Sequence, residues 1–131
     1  MTYAYPIIIQ PQDNGYYLAE APDLPSIVVG GDTLPELMQE ASDACAAWLA
    51  DAEDDGSDIP TPTPVPNLVT QPGEYASIVV ANTSSYRLLN SKRTVKKAVS
   101  LPESLAFAAD RAGLSLSKVL QDALKQRLRM R

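Results

Sequence analysis

Carboxylates are the residues of this sequence with the clearest capacity for chemistry. Clustered carboxylates hold the two Mg²⁺ ions of many nucleases, and four acidic residues lie close together in the sequence: Asp13, Glu20, Asp23 and Asp32. No spacing among them is typical of such a site. Asp13 and Asp23 stand in turn sequences and Asp32 can cap a helix, so each has a sufficient structural role. We therefore predict no enzymatic activity, no metal ion and no cofactor, with a magnesium-dependent nuclease as the alternative.

Histidine is absent from the sequence, and cysteine occurs once, at position 45. This composition excludes a Cys/His metal cluster, a disulfide within the chain, and Ser-His or Cys-His nucleophilic catalysis by this chain alone. Cys45 lies among small apolar residues in a helical pattern. A free cysteine in that setting usually packs as a small hydrophobic side chain.

The stretch Thr94–Leu101, TVKKAVSL, alternates like a β-strand but is followed only by helical patterns. A lone strand has no pairing partner in its own chain, so we expect it to pair with its copy in a second chain. A two-stranded ribbon of this kind fits the major groove of B-DNA. The outward side chains are then predicted to contact bases: Lys96, Ala98 and Ser100. Lys97, although inward in phase, can extend outward to a phosphate.

Two short helices are predicted after this strand, one opened by Pro102-Glu103 and ended by Gly113, the next capped by Ser115. About 40 residues bury too little surface to be stable alone, so we expect a homodimer. Its core is predicted to include Val99, Leu101, Val119 and Leu120. Backbone N–H groups at the start of the second helix favour phosphate binding. The residues predicted to contact DNA phosphates there are Ser115, Leu116, Ser117 and Lys118. The alternative is a ribbon that only dimerises the protein.

Charge divides the chain sharply. Residues 1–86 contain thirteen acidic residues and no Lys or Arg, whereas residues 87–131 contain eleven Lys/Arg and three acidic residues. The basic part favours a polyanion, and the acidic part favours a basic protein. The alternative is that the two halves simply neutralise each other for solubility.

The acidic part has an α+β pattern of the order β-β-β-α-β. Strands are predicted at Tyr3–Ile9, Tyr16–Ala21, Ser26–Gly30 and Glu74–Ala81, and an amphipathic helix begins after Asp32 or Thr33. The helix should cover one face of the sheet, which leaves a second face and an edge available for a partner. The candidates for contacting a basic partner are the acidic face of the helix and the run that follows it: Glu36, Glu40, Asp43, Asp51, Asp54 and Asp55.

Three segments divide the chain into domains. Residues 59–66 carry proline at every second position and are predicted to be an extended connector within a first domain, 1–81, although they could also bind a proline-reading domain. Residues 82–93 are polar and predicted to be a hinge. Residues 94–131 form the β-α-α domain. No apolar run approaches a membrane span and the first residues lack a signal peptide, so we expect a cytoplasmic protein.

The two domains resemble two known protein families. The β-α-α segment, VKKAVSLPESL…GLSLSKVL, resembles the ribbon-helix-helix repressors. The first domain resembles the HicB antitoxin family, through Gly15-Tyr16, Pro22-Asp23-Leu24-Pro25, Gly31-Asp32-Thr33 and the later Ile-Pro segment. The resemblance implies a partial ribonuclease H-like fold, neutralisation of a HicA-type mRNA-cleaving toxin, and autorepression through palindromic operator DNA. Higher oligomers could arise by pairing of the N-terminal domains.

The sequence departs from these patterns at three positions. Ser26 stands where the HicB family often has glycine, Lys97 stands where ribbon-helix-helix proteins usually have an apolar residue, and Ala98 offers only apolar contact at an outward position. The alternative function is a stand-alone repressor whose N-terminal domain senses a ligand or oligomerises.

Overall fold

The computed structural model describes residues 1–130 of the 131-residue chain. The chain divides into two compact units, an N-terminal unit of Met1–Lys92 and a C-terminal unit that begins at Arg93. Thirteen acidic and two basic residues give the N-terminal unit a net charge of −11.

A four-stranded sheet forms the N-terminal unit, and every neighbouring pair of strands in it is antiparallel. The strands are β1 (Thr2–Pro11), β2 (Tyr17–Glu20), β3 (Val28–Gly31) and β4 (Tyr75–Asn82), in the order β3-β2-β1-β4. β1 pairs with β4 from Thr2↔Asn82 to Ile9↔Tyr75. The predicted turn between β1 and β2 is present, and Gly15 takes the positive φ of 83° that favours glycine. The predicted β-β-β-α-β order is confirmed.

Helix α1 (Leu34–Asp55) covers one face of this sheet. It begins at Thr33, whose side chain accepts the Glu36 N–H (3.3 Å), and it ends at Gly56, in the left-handed region. Apolar side chains of β1 pack against the apolar stripe of α1, whose residues recur at spacings of three and four. The core they form includes Tyr5, Ile7, Ile9, Leu37, Cys45, Leu49 and Val79.

The proline-rich connector follows α1 and is held against the N-terminal unit. The Tyr5 hydroxyl donates to the Pro60 carbonyl, and Asp23 accepts from both the N–H (3.0 Å) and the hydroxyl of Thr63. Ile59 packs against the core. The end of the connector is not extended, because Val65–Asn67 forms a single 3-10 turn.

The predicted hinge, 82–93, is wrong over its first half, because Thr83–Leu89 forms helix α2 in the N-terminal unit. The Asn82 side chain caps this helix by accepting the Ser85 N–H (2.8 Å). Arg87 ties it to α1 by donating to the Ala50 carbonyl (3.0 Å), and Tyr86 packs against the core. These are long-range contacts, which a polar local sequence does not reveal.

The C-terminal unit contains helices α3 (Glu103–Arg111) and α4 (Leu116–Leu128). Gly113 ends α3 with a φ of 69°. The Gly113 N–H donates to the Asp110 carbonyl and the Leu114 N–H donates to the Ala109 carbonyl, which is the pattern of a Schellman motif. Residues 91–102 form neither helix nor strand in the single chain. A strand at 94–101 stays a prediction, because its hydrogen bonds require a second copy.

Candidate partner-binding surfaces

The acidic face of α1 is exposed to solvent, as the sequence predicts. Glu36, Glu40, Asp43 and Asp51 all lie on the surface of the helix. Two of them have local partners: Glu36 accepts the Asp32 N–H (3.3 Å) and Asp43 accepts the Gln39 side-chain amide (2.9 Å). These contacts orient the two carboxylates and leave them accessible to a basic partner.

A cleft of about 350 Å³ lies beside the start of α1. It is lined by Tyr16, Gly30, Gly31, Asp32, Glu36, Gln39 and Glu40. Tyr16 lies across Gly30 so closely that a Cβ at Gly30 would be 2.3 Å from its hydroxyl oxygen. The fold thus brings Asp32, for which the sequence suggests a helix cap, together with Glu36 and Glu40 of the acidic face.

Glu53, at the other end of α1, is the centre of a polar cluster that the sequence did not predict. Its carboxylate accepts from the hydroxyls of Tyr3 (2.7 Å) and Thr83 (3.2 Å) and from Arg87 Nη2 (3.1 Å). The hydrogen bond from Tyr3, with those from Arg87 and Thr83, lowers the pKa of Glu53. The same bond raises the pKa of Tyr3. The signals in the sequence that point to this cluster are the acidic run Glu53–Asp55 and Arg87, which is the first basic residue of the chain.

This cluster distinguishes two of the residues predicted to contact a partner, Asp54 and Asp55. Arg87 Nη1 lies 2.9 Å from Asp54 Oδ1, so Asp54 is already paired within the chain. Hydrogen bonds to Glu53 and Asp54 raise the pKa of Arg87. Asp55, the last residue of α1, is exposed. Asp55 is therefore the better placed of the two to meet a partner.

The face of the sheet opposite α1 carries exposed apolar side chains. Ile78 and Val80 on β4 are 54% and 57% exposed, and Val28 on β3 is 64% exposed. β4 also forms one edge of the sheet. This is the second face and edge that the sequence indicates as available to a partner.

The four carboxylates considered for Mg²⁺ binding do not form a metal site. Asp23 is bonded to Thr63, Asp13 lies in the exposed turn after β1, and Glu20 ends β2. Within residues 1–130, no group of three or more His, Cys, Asp or Glu side chains is arranged to hold a metal ion. Cys45 is buried, which raises the pKa of its thiol to about 11.

The predicted base-contacting and phosphate-contacting residues are all accessible in the C-terminal unit. Lys96, Lys97, Ala98 and Ser100 are exposed in the segment before α3. Ser115 caps α4 by accepting the Lys118 N–H (3.4 Å). The remaining first-turn N–H groups of α4 belong to Leu116 and Ser117, and such groups have no partner within a helix.

The predicted dimer core lies open in the single chain. Val99, Leu101, Val119 and Leu120 are 38–59% exposed, and no residue of 93–130 is buried. A unit with that many exposed apolar side chains and no buried residue has no core of its own. Its apolar surface is available for a second protein surface.

Within residues 1–130, no helix has the length and apolar character needed to cross a bilayer.

Comparison with known proteins identifies relatives. Residues 5–122 match the sequence model of the family described as HicB-like antitoxins of bacterial toxin–antitoxin systems. Antitoxin HicB 1 of Photorhabdus laumondii is 29% identical over 87 residues, 66% of this chain and 52% of that protein. An uncharacterised 14.9 kDa protein of Haemophilus phage HP1 is 33% identical over 76 residues, 58% of this chain and 56% of that protein. The chain thus spans about half the length of the curated relatives it matches.

Solved structures share the fold. A chain of a toxin–antitoxin complex from Streptococcus pneumoniae has 21% identity and a TM-score of 0.61, with 97% of this chain and 99% of that chain covered. The antitoxin HicB of Burkholderia pseudomallei has 20% identity and a TM-score of 0.54, with 96% of each chain covered. Its isolated N-terminal domain has 23% identity and a TM-score of 0.53, covering 59% of this chain and 95% of that domain.

Proposed function

The chain belongs to the HicB-like antitoxin family, and we propose that it neutralises a HicA-type mRNA-cleaving toxin and represses its own operon. The N-terminal unit binds the toxin. The C-terminal unit pairs with a second copy as a ribbon-helix-helix and binds operator DNA. The chain itself catalyses no reaction in this proposal.

The observation that carries the proposal is that the charge division, after residue 86, lies six residues from the structural division, after residue 92. The N-terminal unit has a net charge of −11, and the remaining residues 93–131 have nine basic and three acidic residues, a net charge of +6. An acidic surface accelerates association with a basic protein and competes with RNA for it. A basic surface supplies the salt-dependent affinity of DNA binding.

The exposed apolar residues of the C-terminal unit support the dimeric part of the proposal. Two copies that pair residues 94–101 antiparallel would turn Val99 and Leu101 toward the helices and leave Lys96, Ala98 and Ser100 on the outer face. In that arrangement the apolar side chains that are exposed in a single chain are buried between the two copies. The outer face then has the width of a two-stranded ribbon, which the major groove accommodates.

A growth-rescue experiment tests the toxin-binding part. The full chain is co-expressed with the small protein encoded beside its gene, under conditions in which that protein alone arrests growth. We expect growth to be restored and the two proteins to purify together. Continued arrest, with both proteins present in soluble form, would contradict the antitoxin function and favour the stand-alone repressor.

A binding titration tests the repressor part independently. The full chain is titrated onto a duplex containing the promoter of its own operon, at several salt concentrations. We expect binding as an even number of chains, with an affinity that falls steeply as salt rises. Equal affinity for an unrelated duplex of the same length would contradict specific operator recognition.

A further inference from the structure

The longest unpaired backbone edge of the N-terminal unit is that of β4. In the sheet order β3-β2-β1-β4, the strands β3 and β4 form the two edges, with four and eight residues. The sequence of β4, YASIVVAN, contains no charged residue and no proline. Natural proteins usually guard a long edge strand with such residues, because an open edge accepts another strand. β4 lacks that protection.

The hydrogen-bonding pattern shows which backbone groups of β4 face outward. The Thr83 N–H donates to the Met1 carbonyl (3.0 Å), which continues the β1–β4 register by one residue pair. Residues alternate between facing the partner strand and facing away from it in an antiparallel pair. Ala76, Ile78 and Val80 therefore direct their N–H and C=O groups away from β1.

Helix α1 already uses one of these outward groups. The Ser42 hydroxyl donates to the Val80 carbonyl (2.6 Å), so α1 lies over this end of the edge. The outward groups of Ala76 and Ile78 remain for an incoming strand. Asp43, the residue after Ser42 on α1, is exposed and accepts the Gln39 side-chain amide (2.9 Å), and we refer to its carboxylate as the acidic flank.

The side chains beside the edge complete a surface with two kinds of contact. Ile78 and Val80 present apolar side chains on the face opposite α1, more than half exposed. A strand added along β4 would gain main-chain hydrogen bonds from the edge and apolar contact from these side chains. Its basic residues could pair with Asp43 and the other acidic groups of α1.

We infer that the free edge of β4 receives a β-strand of a basic partner protein, with main-chain pairing at Ala76 and Ile78. This inference rests on the proposed function, in which that partner is the toxin. A second copy of the N-terminal unit fits the edge less well, because each unit carries a net charge of −11 and two such units repel. A basic protein turns the same charge into attraction.

The test removes one outward N–H group. In the full chain, Ile78→Pro deletes a donor that the fold does not use, since edge strands tolerate proline where the N–H faces solvent. The matched control, Ile78→Thr, keeps the N–H and the β-branched shape. We expect proline to weaken binding of the small protein encoded beside the gene by about 10-fold or more, and threonine to weaken it much less.

Further measurements keep the result interpretable. Operator affinity and the thermal midpoint of Ile78→Pro report whether the chain still folds. If that variant unfolds, Ala76→Pro, near the start of the strand, repeats the test, and Asp43→Lys tests the acidic flank with an expected loss that is larger at low salt. Partner affinity equal to wild type in a folded proline variant would overturn the inference.

Two other outcomes are distinguishable. If the wild-type chain does not bind the neighbouring protein at all, the proposed function fails rather than the assignment of its surface. If Ile78→Pro instead reduces the molecular mass of the chain's own assembly in solution, the occupant of the edge is a second copy and the inference is overturned.

Discussion

The Tyr3 hydroxyl of β1 donates a 2.7 Å hydrogen bond to the Glu53 carboxylate of α1, across 50 residues of sequence. Arg87 of α2 reaches the same carboxylate from a third element. Glu53 therefore joins the first strand, the long helix and the last helix of the N-terminal unit. The lowered pKa of Glu53 makes this junction sensitive to acid.

The first prediction concerns the stability of this junction at low pH. Because the folded state lowers the pKa of Glu53, its ionised form stabilises the fold above the ordinary glutamate pKa of about 4.3, and that stability is lost as pH falls through the folded pKa. Glu53→Gln should therefore be less stable than wild type at pH 7, with the difference shrinking below about pH 4.

Urea unfolding at a series of pH values measures this difference. Glu40→Gln removes one charge at an exposed position of the same helix and serves as the control. A gap between wild type and Glu53→Gln that stays constant from neutral to acid pH would contradict the role of the Glu53 charge.

The second prediction concerns the contact between β3 and α1. A Cβ at Gly31 would lie 2.7 Å from the Leu37 backbone nitrogen, which cannot move without shifting the helix. Gly31→Ala should lower the free energy of unfolding by about 1–3 kcal/mol. The control is Gly30→Ala, whose Cβ would meet the end of the Tyr16 side chain, which can rotate away. Equal losses for the two variants in urea unfolding would count against this explanation.

The third prediction follows from the backbone at Ser26, which has a φ of 64°. A side chain is disfavoured in this left-handed region by about 1 kcal/mol relative to glycine. Ser26→Gly should raise the thermal midpoint, whereas the control Ser26→Ala, which keeps the Cβ, should not. This conformation also gives a physical reason for the glycine that the resemblance to the HicB family implies at this position. A lower midpoint for the glycine variant would show that the Ser26 hydroxyl matters more than the backbone.

The fourth prediction tests base contact by the C-terminal unit. Lys96→Ala should weaken operator binding by about 10-fold, within the range for loss of one specific contact. Lys92→Ala removes the same charge from an exposed position outside the predicted strand and should change affinity less. Toxin binding should be unchanged by either substitution. Identical operator affinities for wild type and Lys96→Ala would eliminate this contact.

The fifth prediction concerns the Cys45 thiol. Burial raises its pKa to about 11, so its thiolate fraction at pH 8 is on the order of 100-fold below that of an ordinary cysteine. A thiol-reactive dye should label the native protein very slowly and the urea-unfolded protein rapidly. Rapid labelling of the native chain would indicate that α1 opens readily.

Local patterns were sufficient to predict most of the N-terminal unit. The strand-forming residues of Tyr3–Ile9 predict β1, and the helical spacing from Leu37 to Leu49 defines the buried face of α1, so both elements follow from sequence. Helix α2 could not be predicted in the same way. Its stability comes from the contacts of Arg87 with Glu53 and Asp54, which join residues more than thirty positions apart.

The candidate surfaces were predictable to a similar extent. Exposure of Glu36, Glu40 and Asp43 follows from their position on the polar face of α1. The pairing of Asp54 within the chain does not, because it depends on where α2 lies. The direction of the free backbone groups of β4 depends on its register with β1, and register is a property of the folded sheet.

The pairing of β1 with β4 also has a consequence for the chain during its synthesis. β1 is made before β4, which is complete only at Asn82, so at 5–20 residues per second β1 waits roughly 4–15 s for this partner. During that interval the apolar stretch Ile7–Ile9 lacks one of its neighbours, which exposes the nascent chain to aggregation. Once β4 emerges, the sheet can close while the C-terminal unit is still being translated. The growing polypeptide therefore acquires its acidic unit before its basic unit.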